Sequence, residues 1–229
     1  MTGKIVSVAN SKGGVGKSTK AANLAIDAAN KGLNVLLVDS EKSGTMLDYG
    51  NRDIENLTVI NGYEKAFPKM LDVYRNSYDL IMVDTAGVNA DLQGDDDNFQ
   101  ETLNHKILTK TDLLIIPVEP SPVAIRKTYR FIQTAENYLE AARGNMQAII
   151  VVNKYSAQTK LSRELVRDLP TLTDIPVSKN RIRKAECVMQ AEINLLSVNE
   201  YAPNEKVALD IRLFEKEVFE LLGFEEVKL

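Results

Sequence analysis

The sequence predicts an α/β protein built on one doubly wound, mostly parallel sheet with helices on both faces. Three observations predict it. Short runs rich in β-branched residues, apolar at every position, recur along the chain, as strands covered on both faces require. They alternate with helix-like segments in the order βαβα, the pattern of strands joined by crossover helices. The first run passes through a glycine-rich loop directly into a helix pattern, the start of many such sheets.

The elements follow in order. Residues 4–9 (Lys-Ile-Val-Ser-Val-Ala) form the first strand, and a helix over 18–31 follows the glycine loop. Val35–Val38 ends at Asp39, Leu80–Val83 at Asp84, Leu113–Ile116 at Pro117, and Ala148–Val152 at Asn153. Helices are expected at 64–75, 98–108, 123–142 and 160–169. Asp39, Asp84, Pro117 and Asn153 therefore fall at carboxyl ends of strands, where sites form in such sheets. A Gly/Asn/Asp-rich stretch at 87–98, with Asp95, Asp96 and Asp97, reads as an exposed loop, with metal binding as the alternative. The last helix, over 204–222, carries a stripe of Val207, Ile211, Phe214, Val218 and Leu221. Its other face holds Glu205, Lys206, Asp210, Glu215, Glu217 and Glu220. That acidic face favours packing on the domain over lying on a membrane, where a basic face is usual.

At 229 residues and 44% apolar, the chain suits one domain over 1–229 with a full core. No apolar run approaches the length of about eighteen residues that spans a membrane. A strand starting at residue 4 leaves no room for a signal peptide, so a cytoplasmic location is expected. One cysteine, Cys187, excludes an internal disulfide and a zinc cluster of cysteines. One histidine, His105, argues against Ser-His-Asp catalysis. A net charge of −4 means that any nucleic-acid contact must use a local patch, completed by a second copy if need be.

Ser11-Lys12-Gly13-Gly14-Val15-Gly16-Lys17-Ser18-Thr19, between strand and helix, has the layout of a phosphate-binding P-loop. Glycines let backbone N–H groups curl around a polyphosphate. Lys17 can reach the β- and γ-phosphates, Ser18 can give an oxygen to Mg²⁺, and the helix directs its positive dipole end at the phosphates. Lys12 is a second lysine that mere phosphate holding does not require. It can cross to a nucleotide held by another subunit. With Lys12 the segment resembles the deviant Walker A pattern K-G-G-x-G-K-[ST]-T, and the chain resembles the ParA/MinD group of ATPases, closest to small ParA-type partition ATPases without an N-terminal helix-turn-helix.

The resemblance assigns further positions. Leu80–Val83 followed by Asp84-Thr85-Ala86-Gly87 matches Walker B, with Asp84 holding Mg²⁺ or its water beside Ser18 and Gly87 sensing a γ-phosphate. Asp39 and Glu41 stand at the two acids of a D-x-D-P-Q-x-[ST] loop. Asp39 would act near the metal, through water, and Glu41 would position the attacking water. Glu41 is one methylene longer than the family's Asp, and Lys42 and Ser43 replace Pro and Gln. A misplacement of about 1 Å can cost on the order of a hundredfold in rate, so slow hydrolysis or an altered switch is expected. An exposed polar loop with no role for Glu41 is the alternative. Thr45–Tyr49 with Arg52 resembles S-x-x-D-W-x-x-R, and Pro117–Pro122 resembles a P-V-x-P-S-P loop facing nucleotide and partner subunit. Asn153-Lys154-Tyr155-Ser156 resembles N-K-x-D without its Asp, so adenine at Asn153, and hence ATP, is preferred to guanine.

Lys179, Arg181, Arg183 and Lys184 form the dense basic cluster, with Lys160, Arg163 and Arg167 a weaker one. The first either contacts the phosphate backbone of nonspecific DNA or forms a solvated helix start bridged to Glu186. The resemblance implies an ATP- and Mg²⁺-dependent homodimer, Lys12 of each subunit reaching the other's phosphates. Such a dimer would bind DNA at the nucleoid and hydrolyse ATP under a ParB-like or ParG-like centromere-binding adaptor, without a membrane. A MinD-like membrane ATPase, a metabolic enzyme of the same fold and a nucleotide-gated scaffold with little turnover remain alternatives.

Overall fold

A computed structural model of the chain describes residues 2–87 and 95–224. Its elements are β1 (Lys4–Val8), α1 (Lys17–Asn30), β2 (Val35–Asp39), β3 (Leu57–Asn61), α2 (Phe67–Tyr74), β4 (Leu80–Asp84), α3 (Asp95–Leu108), β5 (Leu113–Val118), α4 (Pro122–Ala142), β6 (Gln147–Val152), α5 (Lys160–Asp168), α6 (Glu186–Ile193), α7 (Val198–Tyr201) and α8 (Lys206–Leu222). The six strands form one parallel sheet in the order β3-β2-β4-β1-β5-β6. This is the doubly wound sheet expected.

Alternate residues of each strand enter different cores, which is why the strands are apolar throughout. Val6, Leu37, Met82, Ile115 and Val151 pack with α1 and α8 on one face. On the other, Ile5, Val38 and Ile81 pack with Phe67, Leu71 and Ile107 of α2 and α3, and Ile116, Ile150 and Val152 pack with α4 and α5. Ala21, Ala22, Ala25, Ala28 and Ala29 of α1 are all buried and let that helix lie close to the sheet. The register sets Val8 beside Asp84 and Asp84 beside Asp39. Two acids and the start of the glycine loop thus share one edge of the sheet at its topological switch point.

Several expectations need correction. β3 was not expected. It is an edge strand whose positions are partly buried or exposed, so it lacks the continuous apolar run that marks the others. α6 and α7 were also missed. α3 begins at Asp95 rather than 98, so the expected exposed loop is helical from there. The rest of that loop after Gly87, and the side chains of Asp95, Asp96 and Asp97, lie outside the described residues. In α8 the buried stripe ends on Phe219 and Leu222, while Leu221 is 38% exposed. Glu215, assigned to the solvent face, is fully buried. The helix packs on α7 and shares one core with α1 and α6, so its apolar face is wider than a single stripe.

Candidate functional site

The loop after β1 adopts a phosphate-cradling conformation. Gly14 and Gly16 have φ of +77° and +92°, which L side chains avoid. A Cβ at Gly16 would lie 2.3 Å from Asn153 Nδ2, so glycine is required twice over. Asn153 Nδ2 donates to Val15 O at 2.7 Å. Asn153 therefore braces the loop from β6 as well as lining the cleft expected to hold a base. From β1, Asn10 accepts from Lys12 N (2.9 Å) and donates to Pro117 O and Thr128 Oγ1 (both 2.8 Å). Those bonds tie the loop to β5 and α4.

Lys17 is 8% exposed and donates to Lys12 O at 3.4 Å. Burial lowers its pKa, against the attraction of Asp84 and Glu41. Ser18 is hydrogen-bonded to Asp84. Asp84 is 1% exposed, and its Oδ1 has no hydrogen-bond partner among the described residues. Burial pushes its carboxyl up to about 7, against the Ser18 hydrogen bond and Lys17 and with the help of Asp39 and Glu41. A buried carboxylate oxygen left open beside a serine hydroxyl fits a hard divalent cation such as Mg²⁺. Gly87 comes close behind. A Cβ there would lie 3.1 Å from Lys17 Nζ and 3.3 Å from Gly13 N.

Asp39 is fully buried, and its two oxygens accept Glu41 N (2.9 Å) and Met46 N (2.7 Å). It shapes the loop that presents Glu41, in addition to sitting in register with Asp84. Glu41 lines the cleft with Lys17 and Gly87, and accepts from Ser43 Oγ at 3.1 Å. Arg52, from the neighbouring matched stretch, is used structurally: it clasps Glu200 at 2.9 and 3.0 Å.

Lys12 does not extend away from the chain. Its Nζ meets Glu119 Oε1 at 2.6 Å and Gly13 O at 3.2 Å. Lys154 meets Glu119 Oε2 at 3.2 Å and Gly14 O at 2.6 Å. Burial would raise the Glu119 carboxyl, but the hydrogen bonds from Lys12 and Lys154 hold it below the usual range. Pro117–Pro122 thus contributes a charged group as well as rigidity. Ser121 caps α4 by accepting from Ala124 N, with Pro122 in its first turn.

Glu41, Gly87, Glu119, Asn153 and Lys154 line a cleft of about 840 Å³ that runs from the glycine loop to Ile182, Ala185, Val188 and Met189. Lys20 also lines it, 6% exposed and in no ion pair among the described residues. Burial, with repulsion from Lys154, lowers the Lys20 pKa to about 7. Sequence reasoning missed Lys20, which follows Lys17, Ser18 and Thr19 with nothing in its spacing to set it apart. A second cavity, about 690 Å³ between α3 and α4, touches the glycine loop only at Asn10 and Ser11.

The basic cluster differs from both expectations. It precedes α6 in extended backbone rather than opening a helix. Arg183 is held by Asp210 of α8 at 2.5 and 2.8 Å, not by Glu186. Arg181 lies over the Tyr155 ring at 5.5 Å, and Lys179 and Lys184 are exposed. In the weaker cluster Lys160 pairs with Glu164, Arg163 bonds Ala157 O, and Arg167 pairs with Asp168.

A parallel sheet whose first strand opens through this loop onto a helix, with Ser18 and Asp84 in contact, defines a P-loop nucleotide-binding protein. Residues 6–198 match the family described as the CobQ/CobB/MinD/ParA nucleotide binding domain, and the chain belongs to it. The maintenance of carboxysome distribution protein A of Halothiobacillus neapolitanus is 23% identical, over 90% of this chain and 91% of its own. The sporulation initiation inhibitor protein Soj of Bacillus subtilis is 42% identical over 86 residues, 38% of this chain and 27% of Soj. Among solved structures, the septum site-determining protein MinD of Pyrococcus horikoshii, complexed with Mg-ADP, superposes with a TM-score of 0.72 at 18% identity, covering 96% of this chain and 98% of that one. No described helix is long and apolar enough to cross a membrane.

Proposed function

We propose that this protein is an ATP-dependent switch ATPase that positions DNA or another cargo. The observation that carries the reading is the open Asp84 oxygen, buried against Ser18 and beside Lys17. Ser18 and Asp84 would hold Mg²⁺, which screens and orients the phosphate charge. Lys17 and the N–H groups of Gly13–Thr19 would bind the phosphates. Asp39 fixes the loop that brings Glu41 to the cleft, where its carboxylate orients the attacking water. Gly87, packed on the loop, senses whether a γ-phosphate is present. Relatives named ParA, Soj and maintenance of carboxysome distribution protein A support a positioning role.

In this reading ATP joins two copies face to face, Lys12 of each neutralising charge on the other's phosphates. The dimer aligns two patches containing Lys179, Arg181 and Lys184 and binds nonspecific DNA at the nucleoid. Arg183 contributes through its grip on Asp210 rather than as a free cation. A ParB-like or ParG-like adaptor then triggers hydrolysis and release. The Glu41–Ser43 bond favours one second reading, a nucleotide-gated DNA scaffold with little turnover.

The test is binding to a random-sequence duplex with no nucleotide, with ADP and with a non-hydrolysable ATP analogue, alongside ATP turnover with and without DNA. Binding confined to the analogue supports the switch. Binding indifferent to nucleotide, or capture by anionic vesicles in place of DNA, contradicts it. Analogue-dependent binding with no turnover selects the scaffold.

A further inference from the structure

Lys12 is the residue whose role the dimer reading stresses most, yet in the single chain it is already engaged. Its ammonium and that of Lys154 share one carboxylate, Glu119, at 2.6 and 3.2 Å. The three side chains arrive from three strand ends, after β1, β5 and β6. Each lysine also donates to the phosphate loop itself, Lys12 to Gly13 O at 3.2 Å and Lys154 to Gly14 O at 2.6 Å. Ser121 Oγ donates to Glu119 Oε1 at 3.3 Å and steadies the carboxylate from the cap of α4. Glu119 is 15% exposed and Lys12 22%, so water screens this pair less than a surface pair. Glu119 and Lys154 line the same cleft as Lys17 and Gly87, and Lys12 adjoins it at Gly13.

We propose that Glu119 is a positioning residue that holds Lys12 against the glycine loop of its own chain, so that a second copy must displace a carboxylate before Lys12 can reach its nucleotide. The inference rests on the dimer reading above. A polyphosphate outbids one carboxylate for an ammonium, because it brings more charge and more acceptor oxygens. With ADP, or with none, the exchange is poorer and Lys12 stays on Glu119. Lys154 remains as a partner for the carboxylate once Lys12 leaves, so Glu119 is not stranded without a counter-charge. The clasp thereby sets how much nucleotide-borne charge dimerisation needs. In a two-fold symmetric dimer two clasps open per assembly, which doubles the effect on the association equilibrium.

The test is sedimentation velocity on the full chain with a non-hydrolysable ATP analogue and Mg²⁺, comparing wild type, Glu119→Gln and Lys12→Ala. Glutamine keeps the shape but releases both lysines, and binding of fluorescent ADP shows that each variant is folded. The expected result is dimerisation of Glu119→Gln at roughly tenfold lower protein concentration than wild type, from two ion pairs of ordinary strength. The gap should narrow as salt is raised, because screening weakens the clasp in the wild type alone. If wild type dimerises and Glu119→Gln does so equally or less well, the clasp is overturned and the dimer reading stands. If neither dimerises at any concentration, the dimer reading falls and the clasp falls with it.

Discussion

Replacing Asp84 by asparagine isolates the cost of the carboxylate buried beside Ser18. Asp84 is 1% exposed, has one oxygen with no partner among the described residues, and has its pKa pushed up to about 7 because burial opposes its charge. An unfolded aspartate titrates near about 4. The folded value is the higher, so the stability tied to this proton is complete below about pH 4 and is lost as pH climbs towards about 7. At about 1.4 kcal/mol for each pH unit, the loss between pH 5 and pH 8 comes to roughly 2–3 kcal/mol. Asparagine has nearly the same shape and carries no such term. Urea unfolding of wild type and Asp84→Asn, nucleotide-free, at pH 5 and pH 8 measures it. Taking the difference between the proteins at each pH cancels the other titrating groups. The variant should gain on wild type by roughly 2–3 kcal/mol between the two pH values. Added Mg²⁺ and nucleotide should stabilise wild type more than the variant. A difference between the proteins that is the same at both pH values would refute the reasoning.

Three further outcomes follow from the same physics. Glu215 is fully buried, its Oε1 has no hydrogen-bond partner among the described residues, and its pKa is raised well above the usual range by burial and by Asp27. Its proton-linked stability is present below the ordinary glutamate pKa and lost as pH rises, so Glu215→Gln should stabilise the chain by about 1–3 kcal/mol at pH 8, read by urea midpoint. A destabilised variant would mean that the Lys31 contact at 3.7 Å outweighs burial. Lys20 has the opposite sign. Its folded pKa is depressed to about 7, so stability is present above the unfolded value of about 10.4 and lost as pH falls through about 7. Lys20→Met should therefore gain about 2–4 kcal/mol over wild type at pH 6 and much less at pH 9.5. Gly16→Ala puts a methyl 2.3 Å from Asn153 Nδ2 at φ +92°. Calorimetry should find nucleotide affinity reduced roughly tenfold or more, with about 1–3 kcal/mol of backbone strain. An unchanged affinity would show that the Asn153–Val15 brace is dispensable.

The parts of the fold and site that were legible in the sequence are those whose determinants are local. Lys4–Thr19 carries strand, turn glycines and helix start within sixteen residues, and the structure returns the P-loop as read. Asp39 and Asp84 were found because each ends an apolar run, and the parallel register then places them side by side. What sequence could not supply is the partner in space. Lys12 and Glu119 are 107 positions apart, and Arg183 and Asp210 are 27 apart. Nothing in the spacing of either pair announces the contact. Glu215 looked like one more acid on a polar face because helical phase says nothing of a second packing neighbour. β3 escaped because none of its positions is fully buried and Thr58 and Asn61 break its apolar run, so it lacks the pattern of a strand covered on both faces. Lys20 fits the helix pattern by length alone, and only its enclosure by the cleft marks it out.

The account turns on Lys12 changing partner from Glu119 to a nucleotide held by a second copy. Light scattering of wild type and Lys12→Ala, each with ADP and with a non-hydrolysable ATP analogue, tests it most directly. The account predicts that the analogue alone doubles the mass of the wild type, while the variant stays monomeric in both nucleotides. A mass indifferent to nucleotide, or a Lys12→Ala protein that dimerises as the wild type does, would contradict it.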